Sequence, residues 1–201
     1  MPMLLLDPRD IAAVRATRDG DRYEEVWNGV VVMSPLPNTE HQDLVGGIYY
    51  ALRECVARGR LGRALPGVNV SDRAAGWTHN FRAPDAVVYL HGNPAQNLNT
   101  HWVGGPDFAV EIISPGEEPM AKFDFYAAVN TREVFIVERD PWALELFQLR
   151  GGVLVSAGRV DLANAASVAS GVLPLAFRLV AGEERPQIEM AHTGDGRVWL
   201  A

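Results

Sequence analysis

Residues 82–89 read Arg82-Ala83-Pro84-Asp85-Ala86-Val87-Val88-Tyr89, and residues 108–113 read Phe108-Ala109-Val110-Glu111-Ile112-Ile113. Each is a short apolar run of strand-forming residues, and each is interrupted by one acid, Asp85 in the first and Glu111 in the second. A carboxylate inside an apolar strand is costly unless it is paired or holds a metal. Two such strands with one acid apiece suggest that the acids converge. A simpler account stays open: Pro84-Asp85 opens its strand as a turn, and Glu111 serves as a salt-bridge partner. A third charged group, Lys122, stands in the helical segment that follows Ser114-Pro115-Gly116.

Working outward, residues 40–58 carry Leu44, Val45, Ile48, Leu52, Cys55 and Val56 at three-and-four spacing, the stripe of a long amphipathic helix. Thr39 is its expected N-cap, and Gly59 and Gly62 its expected close. His41 lies on the same stripe, so its imidazole points to the core or to a cleft beside it; a satisfied core histidine is the commoner case. Upstream, Tyr23-Glu24-Glu25-Val26-Trp27 and Val30–Met33 flank Asn28-Gly29, a strong hairpin signal. Residues 8–20 read as a short helix closed by Gly20. Downstream, strands are expected at 63–70, 83–90, 107–113 and 133–137, with a helix at about 117–130 between the last two. Further strand-like pieces follow at 144–149, 153–155 and 173–179, then a polar stretch from Gly182 with one short strand near Val198. Helix, several strands, helix, strand is a mixed α/β pattern, expected as one domain over residues 1–201 with its core at about 20–180 and a polar extension at 181–201.

The chain has 201 residues, 48% hydrophobic and 21% charged, which excludes wholesale disorder. Lys and Arg number 18 and Asp and Glu 25, so the net charge of −7 argues against a protein that coats nucleic acid non-specifically. It does not exclude an enzyme that meets DNA at one cleft. One cysteine, Cys55, rules out an intrachain disulfide and a Cys-rich zinc site. No apolar run suits a membrane span and no basic-then-apolar leader opens the chain, so the cytoplasm is the expected location.

Asp85 after Pro84, with Glu111 on a second strand, resembles the PD-(D/E)XK nuclease superfamily. The resemblance is closer to the restriction-endonuclease-like Uma-two family. It is carried by Glu25-Val26-Trp27-Asn28-Gly29, Met33-Ser34-Pro35, His41-Gln42, Ala83-Pro84-Asp85 and Val110-Glu111-Ile112-Ile113-Ser114-Pro115. Lys122 with Tyr126, Arg132-Glu133-Val134-Phe135-Ile136-Val137 and Gly171-Val172-Leu173-Pro174 continue it, in order, over roughly residues 20–180. Ile113 stands where the superfamily places lysine, two after the acid; Lys122 matches the helical position from which the Uma-two family supplies it. Phe135 replaces the usual Trp, and Glu118 the usual Asp before the lysine.

The resemblance implies a restriction-endonuclease-like mixed β-sheet flanked by helices, with extra C-terminal strands. It also implies Mg²⁺- or Mn²⁺-dependent hydrolysis of DNA phosphodiesters. Asp85, Glu111 and the Ile112 carbonyl would hold the ion. Lys122 would orient the attacking water or stabilise developing charge. Glu25 would act beside the metal, and His41 near the phosphate. A homodimer is compatible with cutting both strands, and the apolar strands after residue 140 offer an interface. The competing reading of a different class is a non-catalytic binding or regulatory protein on the same fold. A hydrolase of a small phosphorylated metabolite has little support, because no Gly-rich phosphate loop is present.

Overall fold

The computed structural model describes residues 4–6, 24–33, 37–114, 118–164 and 166–201. Its centre is a six-stranded sheet in the order Val153–Asp161, Trp142–Arg150, Glu133–Arg139, Phe108–Ile112, Ala86–Leu90, Gly62–Pro66. Phe108–Ile112 and Glu133–Arg139 run parallel. Two parallel neighbours need a crossover, and the chain makes it through a 3₁₀ turn, Pro119–Lys122, and a short helix, Phe123–Ala128. The other neighbours in this sheet are antiparallel.

Side chains alternate across the sheet, and both faces are covered. Val88, Phe108, Val110, Ile112, Phe135 and Val137 face the long helix Thr39–Gly59, which packs Leu44, Ile48, Leu52, Cys55 and Val56 against them. The opposite set, Val87, Tyr89, Ala109, Val134 and Ile136, meets Phe123, Phe125, Tyr126 and Val129. Each fully buried Leu or Ile of the long helix contributes roughly 1.5–3 kcal/mol. Glu111 has the parity of Ala109, so it emerges on the face covered by the crossover, where Lys122 arrives.

The hairpin Glu24–Trp27 and Val30–Met33 turns through Asn28 (φ 50°) and Gly29 (φ 86°), the left-handed pair that a two-residue turn requires. It belongs to a second sheet, joined through Phe81–Arg82 to Val70–Ser71. A third sheet of four strands, Val168–Ala169, Leu175–Val180, Gln187–His192 and Val198–Leu200, adds Leu175, Phe177, Ile188 and Met190 to the core beneath the long helix.

Several expectations shift in detail. The N-cap of the long helix is Asn38, whose side chain accepts from the His41 amide, because it stands one residue before the helix begins at Thr39. The left-handed closing residue is Arg60 (φ 49°), with Gly59 still helical and Gly62 opening a strand. The expected run 63–70 splits, since Pro66 ends one strand and Val70 joins a different sheet. The expected helix at 117–130 is shorter, and Lys122 ends its 3₁₀ entry. The stretch from Gly182 also supplies Gln187–His192, with Ile188 and Met190 fully buried. The helix expected at 8–20 lies outside the described residues. No described helix is long and apolar enough to cross a membrane.

Candidate active site

Asp85 sits one residue before its strand. Ala86 pairs with Val110, and the Asp85 amide donates to the Val110 carbonyl at 3.0 Å, so the register brings residue 85 opposite residue 111. Oδ2 of Asp85 accepts the Ile112 amide at 2.7 Å, and Oδ1 lies 2.9 Å from Nε2 of His41. An ionised carboxylate only accepts, so that histidine nitrogen carries the proton in this pair. His41 projects from the first turn of the long helix and is buried.

Glu111 is buried on the opposing strand. Oε2 accepts from Lys122 Nζ at 2.9 Å, and Oε1 accepts from the Tyr126 hydroxyl. Lys122 and Tyr126 are four residues apart and reach the same acid from one side of the crossover. Lys122 Nζ also donates to Oε1 of Glu25 at 3.0 Å. That oxygen accepts the Ala83 amide, and Oε2 of Glu25 accepts the Trp27 indole, each at 2.8 Å. The outer hairpin, the central sheet and the crossover therefore meet on one ammonium group.

The three charges respond differently to this enclosure. Burial pushes the Glu111 carboxyl up to about 7, with the Glu25 and Asp85 charges adding to the rise and Lys122 and Tyr126 opposing it. Burial also opposes ionisation of Glu25, but Lys122, the Ala83 amide and the Trp27 indole together hold it below the ordinary carboxylate value. Lys122 is raised despite burial, because both glutamates favour its charged form. Glu111 is thus the acid of the cluster with the greatest affinity for a proton.

Arg82 was not singled out in the sequence. It is buried, its guanidinium carbon lies 4.5 Å from the Trp27 ring and 4.3 Å from the Phe125 ring, and Nη1 donates to Val26 O, Phe81 O and Asn80 Oδ1. It places a second fixed cation behind Glu25 and Glu111. An arginine two residues before Pro84-Asp85, inside an apolar run, was the available signal. Tyr126 had a sequence signal too, four positions after Lys122, but no role followed from it.

Among the described residues no three His, Cys, Asp or Glu side chains form a group able to hold a metal unaided. Asp85 and Glu111 instead offer two hard carboxylates on facing positions, and the Glu25 and Asp85 charges add to the rise that burial gives Glu111. That donor set suits an ion such as Mg²⁺, which takes few protein ligands and keeps several waters.

The sheet order and its crossover define a restriction-endonuclease-like α/β fold. The chain belongs to the Uma2 family, described as "Putative restriction endonuclease", whose model matches residues 10–179. A crystal structure of a protein from Anabaena variabilis described as a "putative nuclease" has the same fold, with a TM-score of 0.60 at 15% identity. The likeness covers 82% of this chain and 89% of that one. Among curated proteins no match is found.

Proposed function

We propose that this protein is a metal-dependent endonuclease that hydrolyses phosphodiester bonds in DNA. The observation that supports it most is the shared contact of Lys122 with Glu25 and Glu111, opposite Asp85 in register. A cation tied between two acids at the end of a strand has no core to fill; it is placed to meet an anion.

Asp85, Glu111 and the Ile112 carbonyl are the groups that would hold Mg²⁺ or Mn²⁺. When bound, the ion supplies an activated water at neutral pH and a counter-charge for the phosphate. Lys122 has three N–H donors, and two are directed at carboxylates. The remaining donor is available for a phosphate oxygen or the attacking water, where charge develops. Glu25 keeps that ammonium protonated and aimed. His41 and the Ile112 amide fix the two oxygens of Asp85, and each oxygen retains a lone pair for the cation. The same reading takes the cytoplasm as the location and a homodimer as the unit that cuts both strands.

Nicking of supercoiled plasmid with Mg²⁺, Mn²⁺ or chelator tests this, with Asp85→Ala as the control and single-stranded RNA as a second substrate. The expected result is metal-dependent cleavage of DNA by the wild type and none by Asp85→Ala. A wild type as inactive as Asp85→Ala under every condition would instead favour a non-catalytic binding or regulatory protein. Cleavage of RNA alone would overturn the substrate.

A further inference from the structure

We infer that Arg139 is a positioning residue for the Asp85 carboxylate, acting through a closed ring of hydrogen bonds that runs Arg139, Asn38, His41, Asp85, Ile112, Ile113 and back to Arg139. This rests on the reading of Asp85 as a catalytic acid.

Arg139 is the last residue of the strand parallel to the one that bears Glu111. Its Nε and Nη2 both donate to the Ile113 carbonyl at 3.3 Å, just past the end of that strand. Its Nη1 donates to Asn38 Oδ1 at 3.1 Å and to Glu40 Oε2 at 3.2 Å. Asn38 Oδ1 also caps the long helix by accepting the His41 amide at 2.9 Å. The His41 ring then holds Asp85 Oδ1 at 2.9 Å, and Asp85 Oδ2 accepts the Ile112 amide at 2.7 Å. Ile112 and Ile113 are consecutive, so the ring is complete.

The ring has a geometric consequence. His41 can fix Asp85 only if the first turn of the helix keeps its distance from the end of the Glu111 strand. Hydrophobic packing of Leu44, Ile48 and Leu52 fixes the helix on the sheet, yet it is non-directional and constrains sliding along the axis weakly. The planar fork of Arg139 spans that gap at the place where the helix begins. Its side chain is about 10% exposed, so its bonds to the Ile113 carbonyl work in a poorly hydrated setting where a lost bond is felt, while its bond to Asn38 lies at the exposed end of the fork. A lysine reaches with one point charge and cannot hold a carbonyl and an amide oxygen in fixed relation.

Among the described residues the buried Nδ1 of His41 has no hydrogen-bond partner. A histidine that met the phosphate directly would turn an accessible nitrogen toward the cleft. This one turns Nε2 to Asp85, the geometry of a side chain that orients the acid.

The test uses Arg139→Met, Asn38→Ala and Asn38→Asp in the full chain, with two readouts. The first is the ring N–H proton signal of His41 in ¹⁵N-histidine-labelled protein, which reports the bond to Asp85 without any metal. The second is the split of kcat and KM in plasmid nicking. Arg139→Met and Asn38→Ala should lose or displace the His41 signal and lower kcat by about 10–100-fold, the usual effect of removing a partner behind a ligand, with KM within about twofold. Asn38→Asp keeps the acceptor and the cap and should restore both. A His41 signal and kcat unchanged in Arg139→Met and Asn38→Ala would overturn the proposal, as would a loss in Asn38→Ala that Asn38→Asp fails to rescue. If Arg139→Met does not fold, the exposed Asn38 variants decide. If the wild type cleaves nothing, the proposed activity fails, while the His41 signal still reads the ring.

Discussion

Lys122 and Glu25 are 97 residues apart in the chain and 3.0 Å apart in the fold. The contact exists because the Asn28-Gly29 turn folds the outer hairpin back and Phe81–Arg82 attaches it beside the central sheet, while the crossover lifts Lys122 from the opposite side. Lys122→Met removes the cation and leaves two buried acids facing each other. Truncating one partner of a buried ion pair destabilises by about 3–5 kcal/mol, and the partly open ammonium puts the expectation near the lower end. Cleavage should fall on the order of 100-fold or more, while binding of Mn²⁺ persists or tightens. Chemical denaturation, metal titration and plasmid nicking on one preparation check the three together; retained cleavage would remove Lys122 from the chemistry.

A divalent ion should stabilise the native state, because the unfolded chain does not hold Asp85 and Glu111 together. At about 100 times its dissociation constant a single bound ion adds about 2.7 kcal/mol. For a chain of this size that raises the melting midpoint by roughly 5–10 °C. Asp85→Ala and Glu111→Ala should melt cooperatively and show no such rise. A wild-type midpoint insensitive to millimolar Mg²⁺ and Mn²⁺ counts against the metal site.

Metal-free stability should fall as pH rises from about 4.5 to about 7. Glu111 has its folded value raised from 4.5 to about 7 by burial and by the neighbouring acids, so across that window the native state keeps a proton that the unfolded chain has released. Its contribution is full below the unfolded value and is lost as pH passes the folded one. Glu25 works in the other direction: its lowered value stabilises the fold above 4.5 and is lost as pH falls below. Glu111→Gln should flatten the decline between about pH 5 and about pH 7.5, as should saturating Mn²⁺. Melts at these two pH values decide it, and an unchanged slope in Glu111→Gln would assign the decline elsewhere.

Tyr126→Phe deletes one hydroxyl that favours the ionised form of Glu111. Hydrogen bonds to charged groups are worth about 1.5–3 kcal/mol, so a loss of that order is expected in stability at neutral pH. The acidic limb of the cleavage profile should move to higher pH, because Glu111 ionises later. A profile that scales down without shifting would mean the hydroxyl only supports packing.

Much of this arrangement was legible in the residues themselves. Period-two alternation put Glu111 on a definite face, the stripe from Leu44 to Val56 marked a buried helix with His41 on it, and Asn28-Gly29 marked its hairpin. These signals are local, and each is written in a handful of neighbours. Arg82 was missed because what makes it special, the rings of Trp27 and Phe125, comes from 55 residues before it and 43 after. Val70–Ser71 and Phe81–Arg82 are strands only by virtue of their partners, and two residues carry no period. Gln187–His192 does alternate, but it stands in a stretch that is polar overall, and its Ile188 and Met190 are buried only by the third sheet. The cap fell on Asn38 rather than Thr39 because both are good capping residues and the helix starts one residue later than Asn38.

The separation between Glu25 and Lys122 also bears on the making of the protein. A ribosome adds about 5–20 residues per second, so Lys122 is joined to the chain roughly 5–20 s after Glu25. Until the crossover has emerged and the hairpin has docked, the nascent polypeptide owns the acids but not the assembled pocket. If Lys122 acts as proposed, the site is completed by the last long-range contacts rather than by any fragment, and a translation product that stops before residue 122 should cleave nothing.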